Sequence, residues 1–487
     1  MKKQTLVIAL LLALASSSLG MAQEAPPSFK NMIAVGDSVT AGFQNLSLNH
    51  KGQQASYPAL VARQVGTYHF LPLITEPGIP NELILVEPTF PPVVEPAPGP
   101  SGTRVFPTII PQNIAVPGHS VMEALTTKPE LPLDTLEDVI LGVPALVIPQ
   151  LGIPPLAQIE MAYALQPTFA LFWLGSADAL GAVLEADPSL VTPIEVFQQA
   201  YPQAIGALLL TGAKVVAANI PDLTYLPFLS EAELVAAVVG APLEMIGPAL
   251  GIEAGDWVTA YGLPLVPQIL GGAIPGPLPP NVVLTAAEGQ ELRVKIATMN
   301  AIIGQVSSVL GFPVVDAHAA FAEIDQNGLQ VGDVLITTSY MGGVLGLDGI
   351  HPTNTAHAFI ANLHIQKMRE VYGLPIPLVN LEAVAAADPL FPPNIGPQSA
   401  GTLLSMDQAA FSQLSEAVLP KAVRERRQGG FSSGDDPEMD EGSQPMAGFE
   451  GIFNSTFTAP AVQLDPGPIS QPKSKAEREV KAGQRLQ

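Results

Sequence analysis

Five short apolar runs, helical patterns between them, and a polar or glycine-bearing turn after each run predict an α/β fold. The expected architecture is a parallel sheet of roughly five strands with helices on both faces. The runs are residues 31–35, 113–116, 169–174, 213–218 and 313–315, and helical patterns cover 57–64, 193–210 and 286–310. Such sheets bind ligands outside the carboxyl ends of their strands. The residues after each run therefore carry the functional reading.

The first run leads into Gly36-Asp37-Ser38. A serine at that corner reads either as a helix N-cap or as a nucleophile on a strand-to-loop turn. Pro117-Gly118-His119 follows the second run, and Gly175-Ser176-Ala177-Asp178 the third. Asn219-Ile220-Pro221-Asp222 follows the fourth and is placed to shape the edge of a site; Asp316 and His318 follow the fifth. Further on, Asp348 and His351 precede a helix expected to open at Pro352 or Thr353. His318 lies in an apolar stretch and reads as a packing residue rather than a base, and His357 and His364 as structural residues of that last helix.

Fifty prolines punctuate the chain, and twelve fall between Pro72 and Pro117. Proline lacks the N–H that helices and central strands use, so residues 71–111 read as a surface insertion, either a spacer or a wall over a site. The apolar windows 142–157 and 232–252 are broken the same way and read as loops and short helices over a core, not as membrane spans. The main domain is expected over 30–373. A C-terminal extension, 374–424, holds a helix at 406–418, and a Gly-, Ser- and charge-rich tail, 425–487, is expected to be disordered.

The first 22 residues carry Lys2 and Lys3, an apolar run over 6–15 and a Gly20-Met21-Ala22 end. They read as a bacterial secretory signal cleaved after Ala22, so the protein is expected to be secreted, to the periplasm or the medium. The chain has no cysteine, which excludes thiolate nucleophiles and disulfides, and no metal motif stands out. With 44 acidic and 21 basic residues the net charge is −23, so nucleic acid is not expected as a partner. No cofactor is implied.

Acyl transfer through serine needs a nucleophile, a base, a carboxylate that orients the base, and donors for the oxyanion. Ser38, His351 and Asp348 supply the first three. The backbone N–H of Gly118 suits the fourth, because glycine lets backbone approach a ligand closely. In these residues the sequence resembles the SGNH hydrolases, or GDSL lipases and esterases. Gly36-Asp37-Ser38-Val39, Asn113-Ile-Ala-Val-Pro-Gly118 and Asp348-Gly-Ile-His351 match three of their blocks in order, across about residues 30–373. The resemblance implies a three-layer α/β/α fold with a flavodoxin-like sheet. It also implies ester hydrolysis by Ser38, His351 and Asp348, with the Ser38 and Gly118 N–H groups as oxyanion donors. The expected substrate is a small-molecule or lipid ester.

One block departs from the family pattern. Its Gly-x-Asn-Asp, where the Asn side chain donates to the oxyanion, is Gly175-Ser176-Ala177-Asp178 here. Three readings follow: a slow enzyme, a substitute donor such as Ser176 or His119, or a binding protein of the cell envelope that has lost catalysis. Asp37, His119, Ser176 and Ala177 are the candidate pocket residues around the core site. The proline-rich insertion and polar tail also admit a structural protein of the envelope.

Overall fold

A computed structural model describes residues 26–428, apart from 88–91, 149, 151 and 397–402. The expected signal, 1–22, and residues 429–487 of the expected tail lie outside the described residues.

Four strands form a parallel sheet: β1 (Met32–Gly36), β2 (Phe169–Trp173), β3 (Lys214–Ala218) and β4 (Val314–Val315), hydrogen-bonded in that order. Every residue of β1 and β2 is buried, as expected for strands covered on both faces. Side chains alternate between two cores. Ile33, Val35, Ala170, Phe172, Val215 and Ala217 pack with the helices Ile194–Leu210 and Ala286–Leu310. Met32, Ala34, Leu171, Trp173, Val216 and Val315 pack with the helices Tyr57–Val65 and Asn354–Tyr372. The result is the three-layer α/β/α arrangement.

The expected second strand, 113–116, is not a regular strand. It meets β1 through one parallel bridge, Asn113 to Ala34. Three hydrogen bonds still place it beside β1: Ala34 N–H to Gln112 O, Ile114 N–H to Ala34 O, and Val116 N–H to Gly36 O, at 2.9, 3.0 and 3.1 Å. Pro111 and Pro117 bracket the segment, and the Ala115 N–H turns to the Asn113 side chain at 3.2 Å, so the ladder stays short. Buried Gln158 clamps the pair by donating to Gly36 O (2.7 Å) and Ile114 O (2.9 Å). With this segment outside β1, the sheet runs in the doubly wound order 2-1-3-4-5.

In the proline-rich insertion Leu83–Glu87 pairs antiparallel with Val93–Pro96, and none of its described residues joins the central sheet. Between β3 and the helix Ala286–Leu310, a three-stranded antiparallel sheet and three short helices close around a core of their own that includes Val235, Leu250, Val258 and Val266. The apolar window at 232–252 lies here as two helices bent by 110°. In the C-terminal extension, Asp407 caps the helix Gln408–Val418 and a second helix, Lys421–Gln428, follows. The boundary expected at residue 424 therefore falls inside a helix.

Candidate functional site

The turn after β1 settles which residue caps. Asp37 is the N-cap of the short helix Ser38–Ala41, and its carboxylate accepts from the Val39 N–H at 3.3 Å. Ser38 is thereby freed from capping and sits at the first helical position. The turn is tight against β2: a Cβ on Gly36 would lie 2.5 Å from Trp173 O and 2.2 Å from Thr40 Oγ1, so only glycine fits. Asn113 donates to Thr40 O at 2.9 Å and ties the second block to this helix.

His351 and Asp348 reach the same place from a loop before the helix Asn354–Tyr372, which Thr353 caps. His351 Nδ1 lies 2.9 Å from Asp348 Oδ2, and both side chains are fully buried. Leu46 N–H donates to the same oxygen at 2.8 Å, while Ile350 and His351 N–H groups donate to Oδ1 at 2.9 Å each. Burial alone would raise the Asp348 carboxyl, but His351 and these hydrogen bonds hold it below the usual carboxylate range. His351 Nε2 has no partner among the described residues. It and Ser38 line one cavity, with no hydrogen bond between them. Such bonds are often long in unliganded sites.

That cavity holds about 100 Å³ and is almost wholly apolar. Trp173, Leu180, Leu223, Leu226 and Phe321 form part of its wall. Ala356, Phe359, Ile360, Leu363 and His364 form another, a stripe at i, i+3, i+4, i+7 and i+8 on one helix. No described residue of the insertion 71–111 lines it. Pro221 of the Asn219–Asp222 turn does.

The other candidates divide. Ser176 and Ala177 line the cavity with Ser38. Asp37 lies beneath, accepting from the Ala177 N–H at 3.3 Å; burial pushes its carboxyl up to about 6. Gly118, at φ 84°, takes the left-handed conformation that glycine tolerates. Among the described residues neither its N–H nor that of Ser38 donates a hydrogen bond. Neither Gly118 nor His119 lines this cavity; both line a separate polar cavity of about 520 Å³, where His119 Nε2 sits 3.4 Å from Glu137. His318 packs with Nδ1 3.0 Å from Ile220 O, and His357 and His364 are buried, with burial pushing their imidazoles down to about 3 and 4. Among the described residues no group of three or more His, Cys, Asp or Glu is placed to hold a metal ion.

Two contributors escape a reading of the sequence. Leu46 acts through its backbone, 302 residues from Asp348. The C-terminal segment packs on two loops and a helix: Leu404 on Gly349, the Leu419 carbonyl on Gly118, and Val423 on Gly181 of the helix Ala177–Leu184.

Ser38 and the Asp348–His351 pair thus meet beside the carboxyl ends of a doubly wound α/β/α sheet. The GDSL-like Lipase/Acylhydrolase family model matches residues 32–363, and the chain belongs to that family, which supports a hydrolase of ester type. No curated protein matches the chain.

Proposed function

We propose that the protein is an exported carboxylic ester hydrolase that works through an acyl-enzyme on Ser38. The observation that carries the reading is the buried Asp348–His351 pair, whose free Nε2 shares an apolar cavity with the Ser38 hydroxyl. Ser38 Oγ attacks the ester carbonyl carbon, and its proton passes to His351 Nε2. The carbonyl electron pair moves onto oxygen, held by the Ser38 and Gly118 N–H groups. Collapse breaks the ester C–O bond, and His351 gives its proton to the departing alcohol. Water repeats the sequence on the acyl-enzyme: its proton goes to His351 and then back to Ser38, releasing the acid. Asp348 holds the tautomer with Nε2 free and stabilises the imidazolium.

The apolar lining favours an aliphatic acyl group. A cavity of about 150 Å³ admits benzene, so one of about 100 Å³ suits a chain of roughly four carbons. The expected result is p-nitrophenol release fastest from the butyryl ester, slower from acetyl and octanoyl esters, and absent in Ser38→Ala. Equal near-background rates in both proteins would instead support a binding role, the reading that Ala177 favours. Export rests on residues 1–22, and a mature chain beginning at Gln23 is its test.

A further inference from the structure

We propose that the Ser176 hydroxyl is the third donor to the oxyanion formed at Ser38. The proposal deepens the hydrolase reading and rests on it.

Ser176 stands at the N-cap of the helix Ala177–Leu184 but does not cap it. A capping serine adopts extended backbone and accepts from an N–H of the first turn. Ser176 is helical, at φ −67° and ψ −39°, and makes no side-chain cap bond. The Asp37 carboxylate occupies that place, facing the amides of both Ser176 and Ala177. The hydroxyl is left buried and without a partner. Burying a hydroxyl unbonded is unfavourable, and in this cavity the walls around it are apolar.

Position gives that hydroxyl a use. Asp37 precedes Ser38 and bonds across to Ala177, so Ser176 is held beside the nucleophile's turn. Ser176, Ala177 and Ser38 line one cavity. Ala177 offers no side-chain donor, and His119 is committed to Glu137 in the other cavity. When the carbonyl oxygen becomes negative it gains acceptor strength and draws a hydrogen bond from each free donor nearby. Among the described residues the Ser38 N–H makes no hydrogen bond, and the Ser176 O–H is the unpartnered side-chain donor that lines the same cavity; the Gly118 N–H is also unbonded but Gly118 lines the other cavity. The Ser176 O–H transfers no proton; it hydrogen-bonds to charge that exists only in the transition state and intermediate.

The test compares the full-length chain with Ser176→Ala on p-nitrophenyl butyrate, and measures inhibition by an alkyl trifluoromethyl ketone, which adds to serine as a charged hemiketal. Removing one donor is expected to lower kcat by about a hundredfold with KM nearly unchanged. Affinity for the ketone should fall by a similar factor, while butyrate, which carries no tetrahedral oxyanion, inhibits as before. Because the hydroxyl makes no bond in the resting fold, the melting temperature should not drop. Wild-type turnover in Ser176→Ala, or a fall in kcat without a matching loss of ketone affinity, overturns the proposal. A wild-type chain without turnover overturns the hydrolase reading, and the donor with it.

Discussion

Each Asp348 oxygen accepts two hydrogen bonds, so the carboxylate that orients His351 is fully engaged and cannot swing away. Ser38, Asp348, His351 and Gly118 each stand in a short local pattern, which is why the sequence points to them; the fold puts Ser38 and His351 on one cavity and Gly118 on the other. Their supporting bonds are not legible in the sequence, since Leu46 and Gln158 reach their partners across 302 and 122 residues. Asp178 shows a different consequence of burial. It accepts from the Val121 N–H at 3.0 Å, and burial pushes its carboxyl from 3.8 up to about 7. A folded-state pKa raised above the unfolded one gives stability that is complete below pH 3.8 and lost as pH rises to about 7. Asp178→Asn is expected to remove a slope of about 1.4 kcal/mol per pH unit across that window. Denaturant titrations from pH 4 to 8 would show it, and parallel curves for both proteins would refute it.

The elements were mostly readable because their patterns are local. The runs that became β1 to β4 are continuous and apolar, and the helices 57–65, 194–210 and 286–310 keep the expected limits within a residue or so. The segment 113–116 has the composition of a strand, yet its bracketing prolines and the Asn113 side-chain bond restrict it to one bridge. Periodicity marks a buried stripe but not what it buries against. His364 reads only as a structural residue of its helix, and in the fold it belongs to a stripe from Ala356 that lines the cavity beside Ser38. Phe359→Ala should therefore enlarge the cavity and move the preferred ester from butyryl toward octanoyl, measured as the ratio of the two kcat/KM values. An unchanged ratio would show that the acyl chain lies elsewhere.

At the scale of the whole molecule, the C-terminal segment packs onto the α/β/α domain. Phe411 is buried, stacks on Tyr261 at 4.6 Å between ring centroids, and faces Phe228 at 6.3 Å. The same segment bears on Gly118, Gly181 and Gly349, on two loops and the helix Ala177–Leu184, all separate in sequence. Nothing local in 403–428 announces those contacts, so the sequence shows a helix without its destination. Phe411→Ala is expected to cost about 3–5 kcal/mol by urea unfolding, as for other buried Phe truncations. A change under about 0.5 kcal/mol would mark the segment as a dispensable tail.

All of this converges on the claim that Ser38 is an activated nucleophile. The most direct measurement is the intact mass of the full chain after treatment with a fluorophosphonate, followed by peptide mapping. The account predicts one adduct per chain, located on Ser38 and lost in His351→Ala. A chain that stays unlabelled, or is labelled on another residue, would contradict it.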